Sequence, residues 1–323
     1  MTTQTRIADL VPNPTVLSNV IVKSYKAKNS LIASGVATTG PEVDLLMSGG
    51  SAIQGLNYVN KVDSSTFNYS SDDFDEKGAT GKIGTAGYMA LRHDINWGWA
   101  YTDLTRMITK YDVRGGITSA IPLYWSEVGE QIAVASMKGA LAKTAALTTG
   151  AVTDDFDLAN IVKVSATMDD PRSRKTLFMS NATFAKLQVK QLGTVGVQQS
   201  DAQLNVLTYA GYNVILTEAF GDNMTLVAQE GALAFSAGLI PGEVGAEIKR
   251  DADAGNGGGG EILRTRLSIV AAPQGFTYTG AAVTTAGGNP ARPGLVGLAN
   301  AGNWTQAEAD NRYIGFRAIK HKA

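Results

Sequence analysis

The most informative hydrophobic and polar pattern lies between Gly49 and Trp99, where two strand-like runs flank a polar stretch. A strand-like run, Ala52-Ile53-Gln54-Gly55-Leu56-Asn57-Tyr58-Val59, leads into a polar stretch from Asp63 to Thr80. The chain returns through a second run, Tyr88 to Trp99. Two strand-like runs facing each other around a long polar tip predict an extended β-hairpin. The segment holds too little apolar content for a core of its own, and an isolated two-stranded ribbon is marginal in water. The hairpin is therefore expected to be an arm that lies on a neighbour, which points to assembly.

Elsewhere the pattern changes period. Residues 1–48 read as an arm leading into the fold, in which Pro12 and Pro14 interrupt any helix. Ile117, Ile121, Tyr124, Trp125, Val128, Ile132, Ala135 and Leu141 approximate a 3.6-residue repeat and predict a helix over Ser119–Lys143. Ser119 is the expected N-cap, and Pro122 is admissible there because it falls in the first turn. From Asp154 to Leu239 the pattern is α/β. Asp154 or Asp155 is expected to cap a helix through Val164, and Lys175 to Met179 reads as a buried strand. Ser180 or Asn181 caps a helix to Gln191, and strands follow at Tyr212–Leu216, Met224–Ala228 and Ala232–Phe235 around Gly231. A second hairpin joins Val244–Arg250 to Glu261–Ala271, and Tyr313–Lys320 predicts a terminal strand.

Composition narrows the function classes. With 44% hydrophobic and 18% charged residues in 323, the chain has enough apolar content for a core. A net charge of -1 gives no whole-chain reason to bind nucleic acid or an acidic membrane. The absence of cysteine removes disulfides, thiolate nucleophiles and cysteine metal sites. No signal peptide is read at Met1–Asp9, and no run of about eighteen apolar residues exists to span a membrane.

Candidate chemistry is sparse, and no motif calls for a cofactor. Gly255 to Gly260 satisfies G-x-G-x-x-G literally, but an acidic loop precedes it and a strand follows, so it reads as a turn. Gly78-Ala79-Thr80-Gly81-Lys82-Ile83 lacks the first glycine and the hydroxyl of a phosphate loop. His93 and His321 have no second ligand at metal spacing, and His93 is expected on a surface or an interface, its side chain opposite that of Asp94. Asp72, Asp73, Asp75 and Glu76 lack EF-hand spacing and read as a solvated tip, not as a metal site. Trp97 and Trp99 share a strand face, either as core or as an intersubunit aromatic patch. Lys23, Lys26 and Lys28 form a basic segment, either solvated or turned toward a polyanion.

This order of parts resembles the major capsid proteins of tailed bacteriophages, with their Hong Kong 97-type fold. The segments carrying the resemblance are Tyr124-Trp125-Ser126-Glu127-Val128-Gly129-Glu130-Gln131 with Met137-Lys138-Gly139-Ala140-Leu141-Ala142, and Pro273-Gln274-Gly275-Phe276-Thr277-Tyr278-Thr279-Gly280. The closing Asn300-Ala301-Gly302-Asn303-Trp304 and Asn311-Arg312-Tyr313-Ile314-Gly315 also match. The resemblance implies an α+β chain with an N-terminal arm (1–48) and an extended hairpin loop (49–100). It further implies a peripheral domain (101–153 and 240–323) containing a spine helix over about 119–143, and an axial domain (154–239).

It also implies a structural protein, not an enzyme. Such a protein assembles in the host bacterial cytoplasm into pentamers and hexamers, which form an icosahedral head around double-stranded DNA. Scaffolding, portal or decoration proteins are its implied partners. One departure is that no helical, charged segment precedes Ser24, which implies a separate scaffold or none. Some relatives form an isopeptide crosslink, for which Lys61, Lys77 or Lys82 would supply the amine. Two other readings stand beside this one: an encapsulin-like nanocompartment shell around a cargo enzyme, and a Gly-rich α/β enzyme acting through His93.

Physical reasoning adds two expectations. The acidic tip at Asp72–Glu76 would meet a basic patch of Arg106, Lys110 and Arg114 on a neighbour, since closed shells need heterologous contacts. Lys23, Lys26 and Lys28 would face packaged DNA through phosphate contacts that do not read sequence.

Overall fold

The computed structural model describes residues 31, 34–38, 52–59, 66–83, 85–109, 112–168, 175–192, 207–209, 211–239, 244–286 and 289–323. Lys23, Lys26, Lys28, Lys61 and Lys110 lie outside them, as does nearly all of the arm at 1–48.

In chain order the strands are β1 (Ala37–Thr38), β2 (Ile53–Val59) and β3 (Thr85–Thr102). Two helices follow, α1 (Asp103–Thr109) and α2 (Val113–Lys143), then β4 (Thr148–Thr149), α3 (Leu158–Ser165), β5 (Lys175–Met179) and α4 (Asn181–Leu192). The chain continues through β6 (Leu207–Tyr209), β7 (Tyr212–Leu216), β8 (Met224–Gln229), β9 (Leu233–Gly238), β10 (Ala246–Asp251) and β11 (Gly260–Pro273). It closes with β12 (Phe276–Tyr278), the short pair β13 (Thr284–Ala286) and β14 (Asn289–Ala291), α5 (Leu295–Ala299), β15 (Trp304–Gln306) and β16 (Phe316–Lys320). Among the described residues these build two six-stranded sheets. The first runs β1-β9-β11-β3-β2 with β10 also on β11, and the second runs β4-β16-β8-β5-β7-β6.

The predicted arm is present. β2 pairs antiparallel with the first part of β3, from Val59 opposite Thr85 to Ile53 opposite Leu91. The remainder of β3 pairs with β11, so one strand belongs to both the arm and the first sheet. The second hairpin is present as well, with Ala246 opposite Thr265 and Asp251 opposite Gly260.

The long helix begins six residues before the expected start. Asp112 caps it, its Oδ1 accepting from the Gly115 amide at 2.9 Å. Ser119 lies inside and donates back to the Gly116 carbonyl. Pro122 is therefore an interior residue and not a first-turn one. Gly115, Gly116, Thr118 and Ser119 are weak helix formers, and this masks the first two turns in the sequence. Over 31 residues the helix spans about 46 Å. All residues from Ile132 to Met137 are buried. Those six residues are enclosed on every side of the helix, so the apolar stripe only approximates the helical repeat.

The main core joins both sheets through this half-helix. Ile132, Met137 and Leu141 pack with Leu91, Ile269 and Phe235 of the first sheet and with Phe178, Leu226 and Phe316 of the second. A second cluster covers the opposite face of the second sheet, where Leu177, Met179 and Val227 meet Ile161, Val164 and Leu187 of α3 and α4. Burial on both faces explains the unbroken apolar run in β5. The N-cap of α3 is Asp157, whose carboxylate accepts from the Asn160 amide, in place of the expected Asp154 or Asp155. Asp154 instead accepts from the Ala151 amide, and its carbonyl accepts from Lys322.

Sheet membership departs from the sequence-based boundaries in two places. β8 belongs to the second sheet and β9 to the first, and the chain crosses between them at Gly231, which has a φ of 78°. The C-terminal β16 inserts between β4 and β8, so residues assigned to the peripheral portion complete the sheet of the axial portion. Strand patterning specifies which face is buried but not which sheet edge receives it.

Candidate assembly surface

The tip of the arm, residues 66–83, is exposed throughout. Its two limbs are tied where the Asn68 amide donates to the Ala79 carbonyl at 2.7 Å. Asp73 is spent locally: its Oδ1 accepts from the Asp75 amide, and its carbonyl accepts from the Glu76 amide. The carboxylates of Asp72, Asp75 and Glu76 thus stand on a turned loop in solvent. The sequence marked this tip as polar, but it also displays Phe67, Tyr69 and Phe74, the last two 86% and 94% exposed. The Phe67 and Tyr69 rings meet edge to face at 5.2 Å. The signal was an aromatic residue embedded in the acidic run Asp72-Asp73-Phe74-Asp75-Glu76.

At the far end of β3 lies the basic region. Arg106 on α1 and Arg114 in the first turn of α2 are both exposed. Both stand close enough to Tyr101 that their charges act on its phenol. Burial, reinforced by a hydrogen bond to Glu261 and by that carboxylate's charge, pushes the phenol up to about 12. Arg250 pairs with Asp103 at 2.5 Å and with Glu261 at 3.4 Å, pinning the start of α1 to the second hairpin. The hydrogen bond from Arg250 holds Asp103 below the usual carboxylate range.

Helix α1, which had no sequence-based assignment, turns its polar residues inward. Asp103, Thr105 and Thr109 are buried, while Leu104, Met107 and Ile108 are 50%, 63% and 55% exposed. Positions i, i+3 and i+4 form one helix face, so the three aliphatic side chains make a continuous patch.

Trp97 and Trp99 face the long helix. Tyr124 stacks on Trp97 at 6.3 Å and meets Trp99 edge-on at 5.3 Å, while Trp125 donates to Thr265 Oγ1 at 3.1 Å. Trp99 is half-buried in this cluster, and Trp97 keeps half its surface in solvent.

The histidines are not on the surface. His93 is 4% exposed, and burial, assisted by the Arg292 charge and opposed by Asp94, lowers its pKa to about 4. A surface or interface position was expected, but His93 shares its strand face with Leu91 and Ile95, which pack into the main core. Asp94 does project oppositely. It accepts from Arg92 at 2.9 Å, Arg292 at 2.6 Å and Ser268 at 2.9 Å. Burial works against its charge, but these partners hold its pKa below the ordinary value. His321 stacks on Phe156 at 4.4 Å, with Nε2 3.0 Å from Thr225 Oγ1. Among the described residues no group of three or more His, Asp or Glu side chains is placed to hold a metal, and no helix is long and apolar enough to cross a membrane.

No protein-family model matches the chain, and no curated protein matches it in sequence. Solved structures do match it. The capsid of Ralstonia phage GP4 is similar at a TM-score of 0.54 and 9% identity, over 74% of this chain and 83% of that one. The capsid of cyanophage P-SCSP1u is similar at 0.52 and 14% identity, over 89% and 86%. The chain has the Hong Kong 97-type capsid fold. The holo-SrpI encapsulin complex of Synechococcus elongatus PCC 7942 is also similar, at 0.50 and 9% identity over 91% and 87%. An aromatic, acidic tip precedes β3, and an aliphatic face on α1 with the exposed Arg106 and Arg114 nearby follows it.

Proposed function

We propose that this chain is the major capsid protein of a tailed phage. As a structural subunit it assembles through pentamers and hexamers into an icosahedral head enclosing double-stranded DNA, in the host bacterial cytoplasm. The observation that carries this reading is the arm, whose long strand is continuous with the first sheet and whose tip is exposed throughout, with no packing partner among the described residues. Such an element gains its stabilisation from a neighbour, and contacts repeated around a closed lattice act multivalently. The acidic tip and the Arg106–Arg114 region are the intersubunit charges, with Lys110 beside them, and the open side of Trp97, next to Trp99, adds aromatic contact area. Residues 49–100 act as the extended loop and 154–239 as the axial portion. The basic Lys23, Lys26 and Lys28 face packaged DNA, and scaffold, portal or decoration proteins complete the particle.

A nanocompartment shell around a cargo protein is the second reading, favoured by the likeness to the encapsulin. Electron microscopy of the gel-filtered protein at low and high salt tests both. Closed shells or rings of five and six are expected, and their contents, nucleic acid or protein, decide between the two. A monomer under every condition would count against self-assembly of the chain alone and leave only assembly on a separate scaffold.

The charges have a test of their own. Replacing Asp72, Asp73 and Asp75 together by Asn is expected to weaken assembly and flatten its dependence on salt, because exposed pairs are screened beyond about 10 Å at 0.1 M ionic strength. Unaltered shells with unaltered salt dependence would remove the tip charges from the interface.

A further inference from the structure

We propose that the cavity between α4 and the end of β16 binds a small amphipathic organic anion, one with an apolar body and a single carboxylate or sulfonate. The cavity holds about 500 Å³ and is walled by three stretches far apart in sequence: residues 155–156 ahead of α3, the outer side of α4, and residues 321–323 after β16. That volume is in the range of small-ligand clefts. The site is complete within one chain, so it stands apart from the shell reading.

The buried part of the lining offers a ligand no hydrogen bonds. Thr183 and His321 are 2% and 1% exposed, and both are already satisfied. Thr183 Oγ1 lies 3.1 Å from Ser180 Oγ and donates to the Asp222 carbonyl at 3.2 Å. The His321 ring has Thr225 Oγ1 3.0 Å from Nε2 and the Lys322 carbonyl 3.2 Å from Nδ1. A polar group pressed against them would lose its water and gain no partner. What is left to a ligand there is apolar: the Phe156 ring stacked on His321, Ala185, Val189 and the lysine stems.

The rim has the opposite character. Lys186, Lys190 and Lys322 are exposed and line the cavity against one side-chain carboxylate, Asp155. Cations stay in excess even when a chain-end carboxylate at Ala323 is counted. Lys190 donates to the Phe156 carbonyl at 2.9 Å. Lys186 and Lys322 make no ion pair among the described residues, and Lys186 stands close enough to His321 for its charge to act on the ring. An anion held at this rim relieves the repulsion among the lysines, and its body takes the apolar walls out of water. Inorganic phosphate brings the charge without the body, and a neutral aromatic brings the body without the charge. Because the ligand touches all three stretches, it ties the end of β16 to α4 and stabilises the fold by mass action.

Two fluorescent probes with the same aromatic body separate these contributions: anilinonaphthalene sulfonate, and phenylnaphthylamine, which lacks the sulfonate. Titrated into the full chain, the sulfonate is expected to occupy this site about five- to tenfold more tightly than the neutral probe, the gain available from two exposed charge pairs. Lys186→Gln with Lys322→Gln is expected to abolish that preference and keep binding of the neutral probe. Ala185→Trp, which fills the cavity from an exposed position, is expected to remove the site for both. Subtracting its signal isolates the cavity from exposed aromatics such as Phe74. Val189→Trp fills the cavity from another exposed position and gives the same reading should Ala185→Trp not fold. Binding unchanged by either tryptophan would overturn the site. Equal affinity for the two probes, lost in the tryptophan variants, would overturn its selectivity for anions. Each result reads the same on monomers, rings or shells, so it leaves the assembly reading untouched.

Discussion

A side chain at Gly139 is expected to destabilise the protein by about 3 kcal/mol, even when it is only the methyl of Gly139→Ala. In most helices the same change is favourable by about 0.5–1 kcal/mol, so the sign of the effect is diagnostic. A Cβ at 139 would sit 2.1 Å from the Leu298 carbonyl oxygen, 2.3 Å from Trp304 Nε1 and 2.7 Å from Trp304 Cδ1. None of these atoms is the free end of a flexible side chain. Trp304 is fully buried, donates to the Leu298 carbonyl at 2.6 Å and meets Tyr278 edge-on at 5.3 Å. Relieving the clash means moving α5 off the long helix and breaking that buried hydrogen bond. Chemical denaturation of Gly139→Ala, followed by tryptophan fluorescence, would show a lower midpoint. A variant as stable as the parent would mean that residues 295–304 are not clamped on the helix.

Acid is expected to weaken the fold through His93, by about 3 kcal/mol between pH 7 and pH 4. The buried ring titrates at about 4 in the folded chain, against an ordinary value of 6.5. Between those two values the unfolded chain binds the proton and the folded chain does not. Stability is therefore intact above about pH 6.5, falls as pH drops from there towards 4, and loses nothing further from this group below that. Burial is the main cause, and the Arg292 charge adds to it against the opposing Asp94. Replacing His93 by Gln removes the titration, so the difference between the stability profiles of parent and variant isolates this group from the carboxylates common to both. Parallel profiles from pH 7 to pH 4 would show that His93 is not buried as a neutral ring. Shells would meet the same constraint, since a subunit weakened in acid weakens every contact that it makes.

The elements most legible in the sequence were those with strong local periodicity. The strand-like runs at Ile53–Val59 and Tyr88–Trp99 around a polar tip disclosed the arm, and the glycine-rich turn at 255–260 separated the strands of the second hairpin. Apolar spacing disclosed the middle and the end of the long helix. Its start was hidden because Gly115, Gly116, Thr118 and Ser119 are poor helix formers, and the Asp112 cap with tertiary packing overrode their preference. The acidic character of the tip was plain, but its exposed aromatics were not, because a Phe among aspartates reads the same whether it turns inward or outward. The basic end was found through Arg106 and Arg114, whereas the aliphatic face of α1 between them was missed. In a seven-residue helix the pattern does not say which side faces the core.

By itself, the sequence determined that the chain builds an arm it cannot stabilise alone, joined to a core of mixed helix and sheet, because hydrophobic period and turn chemistry are local properties. Tertiary structure alone decided that β8 and β9 part at Gly231 into different sheets, that β16 completes the second one, and that His93 is buried. It also decided that the exposed tip and α1 flank opposite ends of one strand, β3. Each of these depends on which distant segments share a surface, and burial against a distant segment leaves no mark on the spacing of neighbours along the chain.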